Sequence, residues 1–320
     1  MYIDMSSKIA IRKLGWVYKP KGDQHWSISH AQVPFAFDLN NGKIRVYFST
    51  RDELGRSGVS FIEVSRENPT QVEYVHDALC LKHGGAGMFD ETGAMPSWFI
   101  QKDQSVFLYY TGWNRSESAA YRLAIGLAES TDSGLTFQRV FTGPVLDRGI
   151  QDQVWVGQPC VLIDNGIWRM WYLSCSKIEM INGRPEPFYN VRYAESYDGI
   201  KWDRHEKTCI DFNSNTDAIG RPCVWYYGGL YYMLHSNRKA NGYREDPKAG
   251  YRICLSVSKN GVDWEQNPDF IVPKDTSWET IMNEYTSILP TSVEGKFLVF
   301  YNGDGFGAAG FGVMELTIEK

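Results

Sequence analysis

The sequence predicts an all-β fold: one domain spanning residues 1–320, a ring of five four-stranded antiparallel sheets, the five-bladed β-propeller. Three observations lead there. An apolar strand ending in small or polar residues occurs five times in the 320 residues. Prolines recur ahead of it at a nearly constant interval. No segment sustains a 3.6-residue apolar period, so helices should be few and short.

The strand copies are residues 44–51 (IRVYFSTR), 106–112 (VFLYYTG), 169–174 (RMWYLS), 230–236 (LYYMLHS) and 297–303 (FLVFYNG). About ten residues before each lies another strand. Pro34, Pro96, Pro159 and Pro222 mark four of these at spacings of 62, 63 and 63 residues, and Ile288 holds the fifth place. Turns such as Asp164-Asn165-Gly166 and Tyr227-Gly228-Gly229 join the paired strands, because Asn and Gly tolerate positive φ. A third element closes the unit: residues 130–137 (STDSGLTF), 196–202 (SYDGIKW) and, more loosely, 256–264 (SVSKNGVDW). There a strand enters, a Gly turns it and an aromatic begins the outer strand. Four strands repeated about an axis make a propeller. Five such units fill the chain. The run from Ile9 to Trp16 is expected to complete the last sheet beside 311–318, which removes an exposed edge.

Composition narrows the function. The net charge is −5 and no basic stripe is present, which argues against nucleic acid. No apolar run approaches the ~18 residues of a membrane span. Residues 1–13 (MYIDMSSKIAIRK) lack the apolar core of a secretory signal. The six cysteines show no CxxC and read as reduced, buried thiols, which suits a cytoplasmic protein. Nothing specifies an oligomeric state. Aromatic residues make up 14% of the chain, with 11 Trp and 19 Tyr. Most belong in the core, but flat rings exposed in a pocket also stack on sugar C–H faces. The glycine-rich stretch 83–87 (HGGAG) is no phosphate loop, since no Gly-Lys-Ser/Thr follows.

Five blades with an apolar-Tyr-Tyr-small strand and a Ser-x-Asp-Gly-x-x-Trp turn resemble the five-bladed propeller glycosidase superfamily. It includes arabinanase- and xylosidase-like family 43, invertase-like family 32, levansucrase-like family 68 and the mannoside phosphorylases of family 130. The resemblance covers essentially the whole chain. It implies a carbohydrate or sugar-phosphate substrate in an axial pocket lined by the first strand of every blade. In the hydrolases, carboxylates on the early blades flank the scissile bond.

The first strands here read 28–34 (ISHAQVP), 90–96 (DETGAMP), 152–159 (DQVWVGQP), 217–222 (DAIGRP) and 283–287 (NEYTS). Blade one lacks the usual Asp, and Gly157-Gln158-Pro159 stands where family 43 often carries Glu-Gly-Pro, so the hydrolase trio is not intact. Glu91, Glu284, Asp217, Asp152 and His30 remain as catalytic candidates. Glu91 and Glu284 are assigned as acid and base. Asp217 or Asp152 would tune their pKa by like-charge proximity. His30 can carry a proton near neutral pH and, with Arg221, would hold the substrate. Arg51 and Arg221 suit a bidentate grip on a carboxylate or phosphate. Trp113 and Trp155 are candidate sugar platforms. Gln158, in the first strand of blade three, and Asp52, His235 and Asn302, near second-strand ends, complete the substrate-binding set. No cofactor is expected. Related enzymes sometimes hold an axial calcium, but no ligand spacing marks one here. Longer connections at 177–190 and 239–250 are expected as loops after the second strands of blades three and four.

Three functions fit these residues. They are a hydrolase-like glycosidase, a sugar phosphorylase or activated-sugar transferase, and a non-catalytic glycan-binding propeller.

Overall fold

The computed structural model describes residues 9–274 and 276–319. The signal-peptide reading rests mainly on residues 1–8, outside that range. Among the described residues there is no helix, and twenty strands carry the fold.

The strands fall into antiparallel groups of four. One group contains β2 (Ser29–Asp38), β3 (Lys43–Arg51), β4 (Ser57–Ser65) and β5 (Val72–Val75). The next contains β6 (Gly93–Lys102), β7 (Ser105–Asn114), β8 (Arg122–Ser130) and β9 (Gln138–Arg139). Then come β10 (Trp155–Asp164), β11 (Ile167–Ile181), β12 (Arg184–Ser196) and β13 (Asp203–Ile210). They are followed by β14 (Ala218–Tyr227), β15 (Leu230–Arg238), β16 (Arg252–Ser258) and β17 (Glu265–Asn267). The last group joins β18 (Glu284–Pro290), β19 (Lys296–Asn302) and β20 (Phe311–Ile318) to β1 (Ile9–Tyr18), which pairs antiparallel with β20. Single parallel pairings, Ser57 with Gly93 and Tyr189 with Ala218, link neighbouring groups.

The first strands converge. β2 packs against β6 and β18, β10 against β6 and β14, and β14 against β18. They are buried on both faces; β14 is buried from Ala218 through Trp225. This explains their nearly continuous apolar runs. Each also carries a bulge, as at Gly157/Cys160 and Gly220/Cys223. Val33, Gln158 and Arg221, each just before a recurring proline, adopt φ of 52°, 45° and 38°, and Tyr285 adopts 57°. A bulge of this kind re-aims a side chain out of the pleat.

The Gly turns lock one group to the next. Tyr47 Oη donates to the Gly134 carbonyl (2.8 Å), Tyr109 Oη to Gly199 (2.6 Å) and Trp171 Nε1 to Gly261 (2.6 Å). At Gly134, φ is +80° and an added Cβ would sit 2.2 Å from Tyr47 Oη. Glycine therefore serves both the turn and the approaching ring.

The expected loop at 177–190 is instead a long hairpin. β11 and β12 stay in register to Ile181 and Arg184, turning at Asn182 and Gly183, both at positive φ. Asn-Gly is the usual two-residue hairpin turn, so the ladder simply continues outward. The 239–250 segment is an irregular connection, and Asn182 Nδ2 donates to Asn241 Oδ1 (2.8 Å) across the two. All six cysteines are buried and free.

Candidate functional site

A cavity of about 300 Å³ opens where the first strands converge. Gln32, Met95, Gln158 and Tyr285 reach it from first strands, and Arg51, Trp113 and Arg238 from the ends of second strands. Tyr121, Tyr189, Tyr243, Arg244, Tyr251 and Phe306 contribute much of the remaining wall. Of the sequence-predicted residues, Arg51, Trp113 and Gln158 line it.

Three arginines meet here, and they are not equivalent. Arg51 is largely buried, its Nε has no hydrogen-bond partner, and its nearest side-chain acceptor is Gln32 Oε1 at 3.4 Å. Burial lowers its pKa. Arg238 is 1% exposed and donates to the Pro187 and Lys239 carbonyls (3.1 and 2.9 Å) and to Tyr251 Oη (3.3 Å). Its guanidinium lies 3.9 Å from the centroid of the Tyr243 ring. Arg244 covers that ring at 4.2 Å. Arg244 is neutralised by Glu186, which also accepts from Tyr243 Oη (3.0 Å). Glu186 is itself buried, on the projecting β12. Among the described residues no carboxylate lines the cavity. Arg51 and Arg238 thus present positive charge without an ion-pair partner among the described residues.

Trp113 is fixed by its indole N–H to Ser57 Oγ (2.6 Å). Gln158 lends its carboxamide oxygen to the Arg221 amide (2.9 Å). Tyr189 and Tyr251 share a short hydroxyl–hydroxyl hydrogen bond.

Glu284 is completely buried and neither carboxyl oxygen has a hydrogen-bond partner. Burial raises its pKa well above the carboxylic-acid range, against the opposing pull of Arg238. A charge on Glu284 would act on Tyr251 and Tyr285, two residues of the cavity wall.

The other expected residues are engaged elsewhere. Glu91 accepts from the Gly87 amide of its own loop (2.7 Å), and Asp217 from the Ala240 amide (2.8 Å). Asp52 is tied to Arg56, four residues on, because the turn brings that guanidinium to 2.8 Å. Asp152 is fully buried against Arg204 (2.8 Å) and the Tyr172 hydroxyl (3.1 Å). Asp90 repeats the arrangement one group earlier with Arg139 and Tyr110, which identifies a structural anchor. His30 sits at φ 66° beside Ser29 Oγ (2.9 Å), and burial, aided by Arg51, lowers its pKa to about 4.

Trp155 is 1% exposed and packs on Tyr121 and Tyr189, one layer behind the wall. Arg221 is not free to hold substrate, since its guanidinium donates to the carbonyls of Thr286, Pro34 and Pro96 at 3.1, 3.1 and 3.4 Å. His235 is fully buried between Asn237 Oδ1 (2.8 Å) and Ser256 Oγ (3.0 Å), and burial lowers its pKa to about 4. Asn302 ties β19 to the β2 backbone, accepting from the Val33 amide (2.7 Å) and donating to the Ala31 carbonyl (2.7 Å).

No family model matches the chain. Over 311 residues it is 32% identical to the uncharacterized protein Rv1502 of Mycobacterium tuberculosis, spanning 96% of this chain and 99% of that protein. The chain belongs to that protein's family. Over 142 residues, 44% of this chain, it is also 30% identical to the 1,2-beta-oligomannan phosphorylase of a Thermoanaerobacter species, of which this stretch is 43%.

Among solved structures, a glycosyl hydrolase from Bacteroides ovatus superposes with a TM-score of 0.68 at 14% identity, covering 95% of this chain and 94% of that one. A thermostable family-43 glycoside hydrolase gives 0.63 at 17% identity, covering 92% and 91%. The Bombyx mori beta-fructofuranosidase of family 32, solved with sucrose, gives 0.64 at 15%, covering 92% and 62%. At these identities the likeness establishes the all-β propeller fold alone. Among the described residues no three His, Cys, Asp or Glu side chains gather where an ion would sit. No helix among the described residues is long and apolar enough to cross a membrane.

Proposed function

We propose that the chain is a single five-bladed propeller, closed by β1, whose central cavity transfers a glycosyl unit to or from a phosphate group. Arg51, a cavity arginine with an unpaired Nε, carries this reading; Arg238, whose donors are taken by Tyr251, Lys239 and Pro187, adds its charge behind the wall. Hydrolysis by two carboxylates needs both of them at the scissile bond. Asp152, Asp217 and Glu91 are held in contacts of their own and Glu186 is paired with Arg244, which leaves Glu284 as the unpaired carboxyl beside the cavity wall. A phosphate nucleophile removes the need for a second carboxylate, and arginine is the side chain suited to hold it.

In such a reaction a phosphate oxygen forms the new bond to the anomeric carbon as the glycosidic C–O bond breaks. The departing oxygen takes up a proton. Glu284 lies behind the wall beside Tyr285, and burial favours its protonated form; it is the proposed source of that proton, passed on through the Tyr285 hydroxyl. Trp113 offers the sugar an apolar face. The partial likeness to an oligomannan phosphorylase supports the same reading and directs the first assays to mannosides.

The test is turnover of β-1,2-linked mannobiose with and without inorganic phosphate, and the reverse reaction from mannose 1-phosphate. Phosphate-dependent release of a sugar phosphate is expected. Equal turnover of aryl glycosides or mannobiose in phosphate-free buffer would return the assignment to a hydrolase. Glycan binding without product would make the propeller a binding module.

A further inference from the structure

A second hollow, of about 220 Å³, lies between the end of β1 and the connection that leads to β2. Its character differs from the central cavity. The rings of Tyr18, Trp26, Phe48 and His76 line it, and Asp23 and Gln24 supply polar groups. Its charged lining residues, Lys21 and Asp23, are of opposite sign. We infer that this hollow binds a single neutral sugar ring, separately from the central cavity.

Three features carry the inference. The first is an unmet acceptor: Gln24 Oε1 is buried and has no hydrogen-bond partner. A buried acceptor without a donor is unfavourable, so a ligand bringing hydroxyl donors is favoured there. The second is the aromatic lining. Tyr18 and Phe48 pack at 5.3 Å between centroids, and Tyr18 continues to Phe311 at 6.2 Å. Burial and the nearby Asp23 push the Tyr18 hydroxyl up to about 12, so it stays a neutral donor. Burial likewise lowers the pKa of His76, whose ring stacks on Phe61 at 4.2 Å. Apolar walls with a few fixed polar atoms describe a small-molecule site, and this volume falls below the roughly 300–1,000 Å³ of drug-sized ligands. A sugar ring combines an apolar C–H face with hydroxyl donors at that scale.

The third feature is a built frame. Ser27 Oγ hydrogen-bonds Thr50 Oγ1 (2.7 Å), and the Ile28 amide donates to the Arg51 carbonyl (2.8 Å). The Ser27 amide donates back to the Gln24 carbonyl (2.8 Å), closing the turn that carries Gln24 and Trp26. The hollow is therefore attached to the same strand end that delivers Arg51 to the central cavity.

Saturation-transfer NMR and calorimetry on the full chain with methyl α-D-mannopyranoside and methyl β-D-glucopyranoside test this. One glycoside is expected to bind the wild type and Arg51→Ala equally. Binding should weaken about tenfold in Trp26→Ala and in Gln24→Leu, the loss of one good contact. Gln24→Leu sits on a surface turn and keeps the packing, so it reports even where Trp26→Ala misfolds. Absence of binding by both glycosides, or binding unchanged in Gln24→Leu, overturns the inference. Loss in Arg51→Ala with retention in the other two assigns the glycoside to the central cavity and also overturns it. Phosphate-dependent turnover plays no part in these outcomes, so the two proposals fail separately.

Discussion

The Nη2 of Arg221 lies 3.1 Å from the carbonyl oxygen of Pro34, a residue 187 positions earlier in the chain. The same guanidinium reaches Thr286 and Pro96, so one side chain of β14 gathers backbone from β18, β2 and β6. Burial lowers its pKa to about 10, which still leaves it charged at neutral pH. A planar fork with five donors suits this task, and a lysine ammonium does not match its geometry.

Arg221→Ala should therefore act on stability. It leaves several buried carbonyls unpaired and is expected to cost about 4 kcal/mol or more. Arg221→Lys should recover part of this. Urea midpoints with an unchanged slope measure both.

Asp152→Asn should also destabilise, because it strands Arg204 beside a neutral amide. Removing one partner of a buried ion pair costs about 3–5 kcal/mol. Its turnover per folded molecule should equal that of the wild type, since Asp152 lies outside the cavity wall. A large drop in kcat at intact stability would return Asp152 to the site.

Glu284 and His235 give the stability curve opposite slopes. The folded pKa of Glu284 is raised, so its protonated form favours the fold at low pH and that contribution is lost as pH rises above about 4.5. The folded pKa of His235 is lowered to about 4, so its neutral form favours the fold above about 6.5 and that contribution fades down to about 4. Glu284→Gln should raise the melting temperature at pH 8 while abolishing turnover. His235→Gln should flatten the loss between pH 6.5 and 4. Melting curves across pH 4–9 read both effects.

Glu186→Gln should loosen Tyr243 and Arg244 without touching the first strands. Hydrogen exchange in 239–250 should accelerate while β14 stays protected. The Michaelis constant for phosphate should rise more than kcat falls. Glu186→Asp, which keeps the charge, should restore part of the affinity.

The architecture was legible because each repeat carries its own turn chemistry. The Asp-Gly and Asn-Gly turns and the spaced prolines are local signals, and the Tyr47–Gly134 contact explains why both ends of that pair recur. The site was less legible. Sequence puts Arg51 and Trp113 at second-strand ends and Gln158 within a first strand, as the structure does, but whether Asp152 meets a substrate or Arg204 depends on a partner 52 residues away. Arg238 is visible at the end of its strand, yet its neighbour Tyr243 lies in an irregular connection with no repeat to mark it. Glu186 was hidden because a hairpin extension reads as a loop until its register is known.

The pairing of β1 with β20 has a consequence for synthesis. β1 leaves the ribosome some 290 residues ahead of β20 and must wait for it. At ~5–20 residues per second that delay is roughly 15–60 s. During it, β1 has no lateral neighbour, and Trp16, still 44% exposed when the strand is finally seated, is open to any passing chaperone or strand.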